Sequence, residues 1–147
     1  MTSRGVSRGF GRLKMSNAVE VNDATFESQI EQHKGLAVVD FWATWCAPCK
    51  VEIPGFIDMY SKYKSRGFEV VGVVVLDKFA NAAPFAKEYK MNYTILDGVD
   101  REDIEDAYGP LFALPTTYII ARDGRICEKH IGLTSKDKFD AAIKSLL

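Results

Sequence analysis

The sequence predicts an α/β domain with a mixed central sheet flanked by helices. Three observations predict it. Val-rich runs at 36–42 and 68–76 read as strands covered on both faces. Apolar residues at helical spacing follow each run. Asp123-Gly124, between two further strand-like runs, is a hairpin turn signal. Strands that alternate with helices and end in a hairpin and a helix imply a mixed sheet sandwiched by helices.

Each element has its own signal. Val19–Val21 reads as a short strand, and Asn22 or Asp23 can cap the helix after it. Phe26, Ile30 and His33 form an amphipathic stripe there, and Gly35 ends it. Leu36–Trp42 is apolar except for Asp40. A helix starting at Cys46 or Pro48 runs to Ser65, with Ile53, Phe56, Ile57, Tyr60 and Tyr63 on one face. Pro54 inside it predicts a kink, and Gly67 closes it. Phe68–Leu76 is the second buried strand. Ala82, Phe85, Ala86 and Tyr89 predict a helix over 81–90, Tyr93–Leu96 a strand, and Ile104, Ala107 and Tyr108 a short helix. Leu114-Pro115 opens the strand Thr116–Ala121, and Arg125–Ile131 returns antiparallel to it. Ser135 caps a last helix that turns Phe139, Ala142, Ile143 and Leu146 inward.

Composition narrows the function classes. The chain has 147 residues, enough for one domain. With 47% hydrophobic and 27% charged residues it can build a core, so bulk disorder is excluded. Its apolar runs fall far short of a membrane span. A net charge of -1 gives no overall basic field, so nucleic acid is not an expected partner. Residues 1–16 are different. Arg4, Arg8, Arg12 and Lys14 stand there without an acid. Three readings fit: a disordered basic leader, an organellar transit-like segment, or an upstream extension before a start at Met15. The domain proper is expected over 17–147.

The cysteines point to redox chemistry. There are three, Cys46, Cys49 and Cys127, so a disulfide-framework domain is not expected. One Cys-x-x-Cys with only His33 and His130 beside it lacks zinc-ligand spacing. Cys46 lies between a strand and a helix. A thiolate at a helix amino end is stabilised by free N–H groups and the dipole, which makes it a nucleophile. Cys49, one turn on, is the less exposed resolving thiol. Pro48 fits the first turn, where no N–H is needed. Two buried structural cysteines are the bland alternative.

The segment Val39-Asp40-Phe41-Trp42-Ala43-Thr44-Trp45-Cys46-Ala47-Pro48-Cys49-Lys50 resembles the active-site segment of thioredoxins. Glu52-Ile53-Pro54, Phe68–Leu76 and Leu114–Ile120 look more like the TlpA/ResA branch. That resemblance implies a thioredoxin-like fold with a helix and a strand inserted before a cis-proline loop. It implies a thiol–disulfide oxidoreductase whose dithiol is Cys46–Cys49. Pro115 matches the cis proline, and the Leu114 backbone would pair with an extended substrate. Asp40 matches the buried acid that relays a proton to or from the resolving thiol; a backbone-satisfied Asp is the alternative. Phe68–Leu76 lacks the Lys that thioredoxins often place near this acid. Trp45, Ala47, Pro48, Leu114 and Gly132 are the expected substrate-binding positions. Trp42 is expected beneath the site, Asp77 as a solvated strand-end acid, and Cys127 in packing.

The resemblance implies no cofactor beyond the cysteine pair. The expected partners are a disulfide-containing protein and an upstream dithiol reductase or membrane electron donor. Direction is expected to be reductive, and the chain monomeric. A thiol peroxidase on the same fold and a non-catalytic binding module are the competing classes. The compartment expected from this sequence is cytoplasmic, or organellar or extracytoplasmic if a targeting segment acts or was removed.

Overall fold

A computed structural model describes residues 35–147. The leader at 1–16, the strand at Val19–Val21 and the helix carrying Phe26, Ile30 and His33 lie outside the described residues. In chain order the elements are β1 (Leu36–Trp42), α1 (Ala47–Tyr63), β2 (Phe68–Val74), α2 (Ala82–Tyr89), β3 (Thr94–Asp97), α3 (Glu102–Tyr108), β4 (Thr116–Ile120), β5 (Ile126–Ile131) and α4 (Lys136–Leu146).

The five described strands form one sheet in the order β3-β2-β1-β4-β5. β1, β2 and β3 run parallel, while β4 runs antiparallel to β1 and β5 antiparallel to β4. The expected insert is present: α2 and β3 lie between β2 and Pro115, and β3 extends the sheet beyond β2.

The pleat sorts the side chains into two layers. Leu36, Val38 and Trp42 pack with Ile53, Phe56 and Met59 of α1, Phe85 of α2, and Phe139 and Ile143 of α4. Ala37, Val39 and Phe41 pack on the other side with Ile104 of α3. Every residue of β1 is buried, which is why its sequence shows no polar alternation. Asp40 falls by parity on the Val38–Trp42 side.

Several boundaries and faces differ from the sequence reading. β2 stops at Val74 because Leu76 turns into the left-handed region, at φ 54. β3 starts at Thr94, where its ladder with Val71 begins. α1 ends at Tyr63 and is followed by a 3-10 turn at 64–66, closed by Gly67 at φ 86. Its helix continues through Pro54. Its buried face is Cys49, Glu52, Ile53, Phe56, Met59 and Tyr63, with Ile57 and Tyr60 only partly buried. Counting apolar residues alone put the stripe too far round the helix, since a buried Glu belongs to it. The hairpin turn holds Gly124 at φ 88, and Ser135 caps α4 by accepting from the Lys138 N–H.

Candidate active site

The amino end of α1 carries the reactive pair. Cys46 is the N-cap residue, and the Cys49 N–H donates to its Sγ at 3.2 Å. The two are joined as a disulfide. Both are buried, Cys46 at 3% exposed and Cys49 fully. Ala47 and Pro48 are exposed beside them, and the Trp45 side chain is 61% exposed. Pro48 sits in the first turn of the helix, where its missing N–H costs nothing.

The loop before Cys46 is tied to the end of β2. The Thr44 N–H and hydroxyl both donate to Asp77 Oδ2 at 2.7 Å. Asp77 Oδ1 accepts from the Lys78 N–H and the Asn81 amide. The Trp45 indole donates to the Leu76 carbonyl at 2.8 Å. Asp77 is therefore a bracket and not the solvated acid expected from sequence. Partial burial works to raise its pKa, but the bonds from Thr44 and its other donors prevail and hold it below the ordinary value.

Topology brings the proline loop to the same end of the sheet. β4 opens at Thr116, opposite Phe41, so Pro115 lies at the carboxyl end of β1. The Leu114–Pro115 peptide bond is cis. The Gly132 N–H donates to the Pro115 carbonyl at 2.8 Å, and Gly132 has φ 84, a conformation that favours glycine. Leu114, Pro115 and Gly132 thus form one connected corner, with Leu114 partly exposed.

Behind this surface lie two buried carboxyls. Asp40 is fully buried, and the Thr117 hydroxyl donates to its Oδ1 at 3.1 Å. Among the described residues no backbone donor meets this carboxyl, so the backbone-satisfied alternative is not seen there. Burial, with the nearby Glu52 charge, pushes the Asp40 pKa up to about 8. Glu52 is 6% exposed, accepts from the Thr134 N–H at 2.5 Å, and is pushed by burial up to about 7. Glu52 was not singled out as a site residue from sequence. Its spacing, three after Cys49 and four before Phe56, was the available signal.

Trp42 lies fully buried beneath the site, as expected. Cys127 is not packed: it is an exposed free thiol on β5, a strand in which every residue is exposed or half-buried. Among the described residues no group of three His, Cys, Asp or Glu is placed to hold a metal ion. Among them, too, no helix is long and apolar enough to cross a membrane.

Comparison with known proteins agrees with this geometry. The AhpC/TSA family model matches residues 14–129. A thiol-disulfide oxidoreductase ResA of Oceanobacillus iheyensis is 33% identical over 129 residues, covering 86% of this chain and 65% of the relative. A ResA of Geobacillus kaustophilus is 31% identical over 124 residues, covering 82% of this chain and 68% of the relative. Among solved structures, a thiol:disulfide interchange protein of the thioredoxin family from Chlorobium tepidum superposes with a TM-score of 0.73 at 26% identity. That match covers 86% of this chain and 85% of the other.

Proposed function

The chain belongs to the AhpC/TSA family and is a thiol–disulfide oxidoreductase, and we propose that it works as a reductant of protein disulfides through Cys46 and Cys49. The observation that carries this reading is the Cys46–Cys49 pair at the amino end of α1 with a buried acid behind it.

The Cys46 thiolate, favoured by the helix amino end, attacks a substrate disulfide, and one substrate sulfur leaves as thiolate. A mixed disulfide remains. Cys49 gives its proton to the Asp40 carboxylate and attacks Cys46 Sγ. The second substrate sulfur leaves, and the Cys46–Cys49 disulfide forms. Two electrons have passed to the substrate. An upstream dithiol protein returns the pair to its reduced form.

Trp45, Ala47 and Pro48 would meet the substrate around Cys46, and Leu114 and Gly132 would meet it from the proline corner. The exposed indole, held by Leu76, supports this surface. An extended segment beside Leu114 fits the β-augmentation mode.

The test is the reduction potential of the pair, by equilibration with dithiothreitol or glutathione buffers. A value near that of thioredoxin, about -270 mV, is expected. A value near about -120 mV would reverse the direction and make the chain an oxidant.

A further inference from the structure

We propose that the groove between the carboxyl ends of β2 and β3 docks a cationic, extended segment of the protein whose disulfide meets Cys46. The proposal names the substrate class of the oxidoreductase reading above and rests on that reading.

The groove is continuous with the reactive end of α1. Its volume is about 1110 Å³, and Val75, Leu76, Val99 and Leu111 supply its apolar walls. Leu76 belongs to both surfaces: it lines the groove, and its carbonyl accepts the Trp45 indole N–H next to Cys46. Leu76 is 63% exposed and holds φ 54, a left-handed backbone that costs an L-residue with a side chain. Such conformations persist where the surroundings enforce them, and they cluster at functional surfaces. Phe112, next to Leu111, is 79% exposed. Large apolar residues exposed by two separate segments at one groove mark a surface that meets a partner.

The turn after β3 is fixed to β2. The Gly98 N–H donates to the Val74 carbonyl at 2.9 Å, and a Cβ on Gly98 would lie 2.5 Å from Val73 Cγ1. The Val99 N–H donates to Asp97 Oδ1 at 3.0 Å. A groove built on such a turn is preformed, so little ordering is needed on its side when a segment binds.

Charge names the occupant. The groove carries Asp77, Asp100, Glu102, Glu105 and Asp106 against Lys78. Glu105 and Asp106 stand in the last turn of α3, where the helix dipole disfavours negative charge. Their place breaks a local rule, and such breaks are expected at functional sites. The carboxylates are strung out along the groove. Among the described residues no group of three is placed to hold a metal ion. Dispersed negative charge over apolar walls complements a chain that interleaves Lys or Arg with apolar residues, not a single small cation. A substrate cystine seated at Cys46 therefore leads its flanking residues over Trp45 and Leu76 into the groove.

Two measurements on the full chain test this. In the first, the oxidised protein is titrated into a fluorescent, cysteine-free peptide of alternating Lys and Leu, and anisotropy is followed. A Glu and Leu peptide is the control. The Lys peptide should bind, weaken with added salt, and lose about tenfold in affinity to Glu105→Lys/Asp106→Lys. Both positions are exposed, and lysine suits the end of a helix, so this variant should keep its fold. Equal binding of the two peptides, or binding that the folded variant leaves intact, overturns the proposal. The second measurement follows reduction of disulfide-linked forms of the two peptides and of a small aromatic disulfide. The parent should reduce the Lys form about tenfold faster than the Glu form. The variant should lose that preference and keep its rate on the small disulfide. A parent without the preference overturns the proposal. A chain that binds the Lys peptide but exchanges with none of the three disulfides would instead overturn the oxidoreductase reading alone.

Discussion

Thr134 holds Glu52 from 82 residues away: its N–H donates to Glu52 Oε2 at 2.5 Å. The bond ties the loop before α4 to the middle of α1. It also leaves a carboxyl beside Asp40 that titrates near neutrality.

Glu52→Gln should therefore lower the pKa of Asp40. The Glu52 charge is one of the two causes that raise it, and the amide carries none. Burial, the larger cause, stays, so the pKa should fall from about 8 yet remain above the ordinary carboxylate range. The pH dependence of mixed-disulfide resolution, followed by stopped-flow fluorescence, should shift to lower pH. A profile that stays put would separate Glu52 from the proton step.

Stability should fall as pH rises. Asp40 and Glu52 both bind protons more tightly folded than unfolded, since their pKa values are raised from 3.8 and 4.5 to about 8 and about 7. Their contribution is complete below about pH 4 and is lost as pH rises through about 7 to 8. The loss should be on the order of a few kcal/mol. Urea titrations of the oxidised protein between pH 5 and 9 check it. Asp40→Asn should flatten the curve, and an equally steep decline in that variant would locate the effect elsewhere.

Most of the fold was legible in the sequence because burial shaped it directly. β1 is read without error from a run with one polar residue. The alternating elements, the Gly124 turn and the Ser135 cap each follow from a local rule. The site was half legible. Cys46, Cys49, Asp40 and Pro115 lie within recognisable segments. Glu52 does not announce itself, because its place near Asp40 arises from packing between distant segments. Asp77 was misread for the same reason: its partner Thr44 is 33 residues earlier. Cys127 was misplaced because a thiol in a strand reads as packing unless the strand's covered face is known.

The two cysteines should separate by trapping. Cys49→Ser leaves Cys46 able to attack but removes the resolving thiol, so a mixed disulfide with a protein substrate should accumulate. Cys46→Ser should form none and lose turnover. Non-reducing electrophoresis with a small disulfide protein reads both. Alkylating Cys127, exposed and outside the site, should leave exchange unchanged. A mixed disulfide formed through Cys49 in the Cys46→Ser protein would reverse the assignment of attacking and resolving thiols.

Asp77→Ala should loosen the active-site loop from the sheet. The carboxylate accepts from Thr44 twice and from Lys78 and Asn81, so its removal leaves the partly buried Thr44 N–H without its partner. The cost should be about 1–3 kcal/mol in urea titrations. Because bonds to the ionised form depress the Asp77 pKa, the stabilisation should be present above about pH 4 and lost as pH falls through the folded value. The functional consequence is separable from stability. Thr44 stands two residues before Cys46, and the Trp45 indole is held by the neighbouring Leu76 carbonyl. A freer loop should slow the attack of Cys46 on a protein disulfide more than on a small one, because only the protein relies on the Trp45 surface. Equal slowing on both substrates would mean that Asp77 supports the thiol itself and not the docking surface.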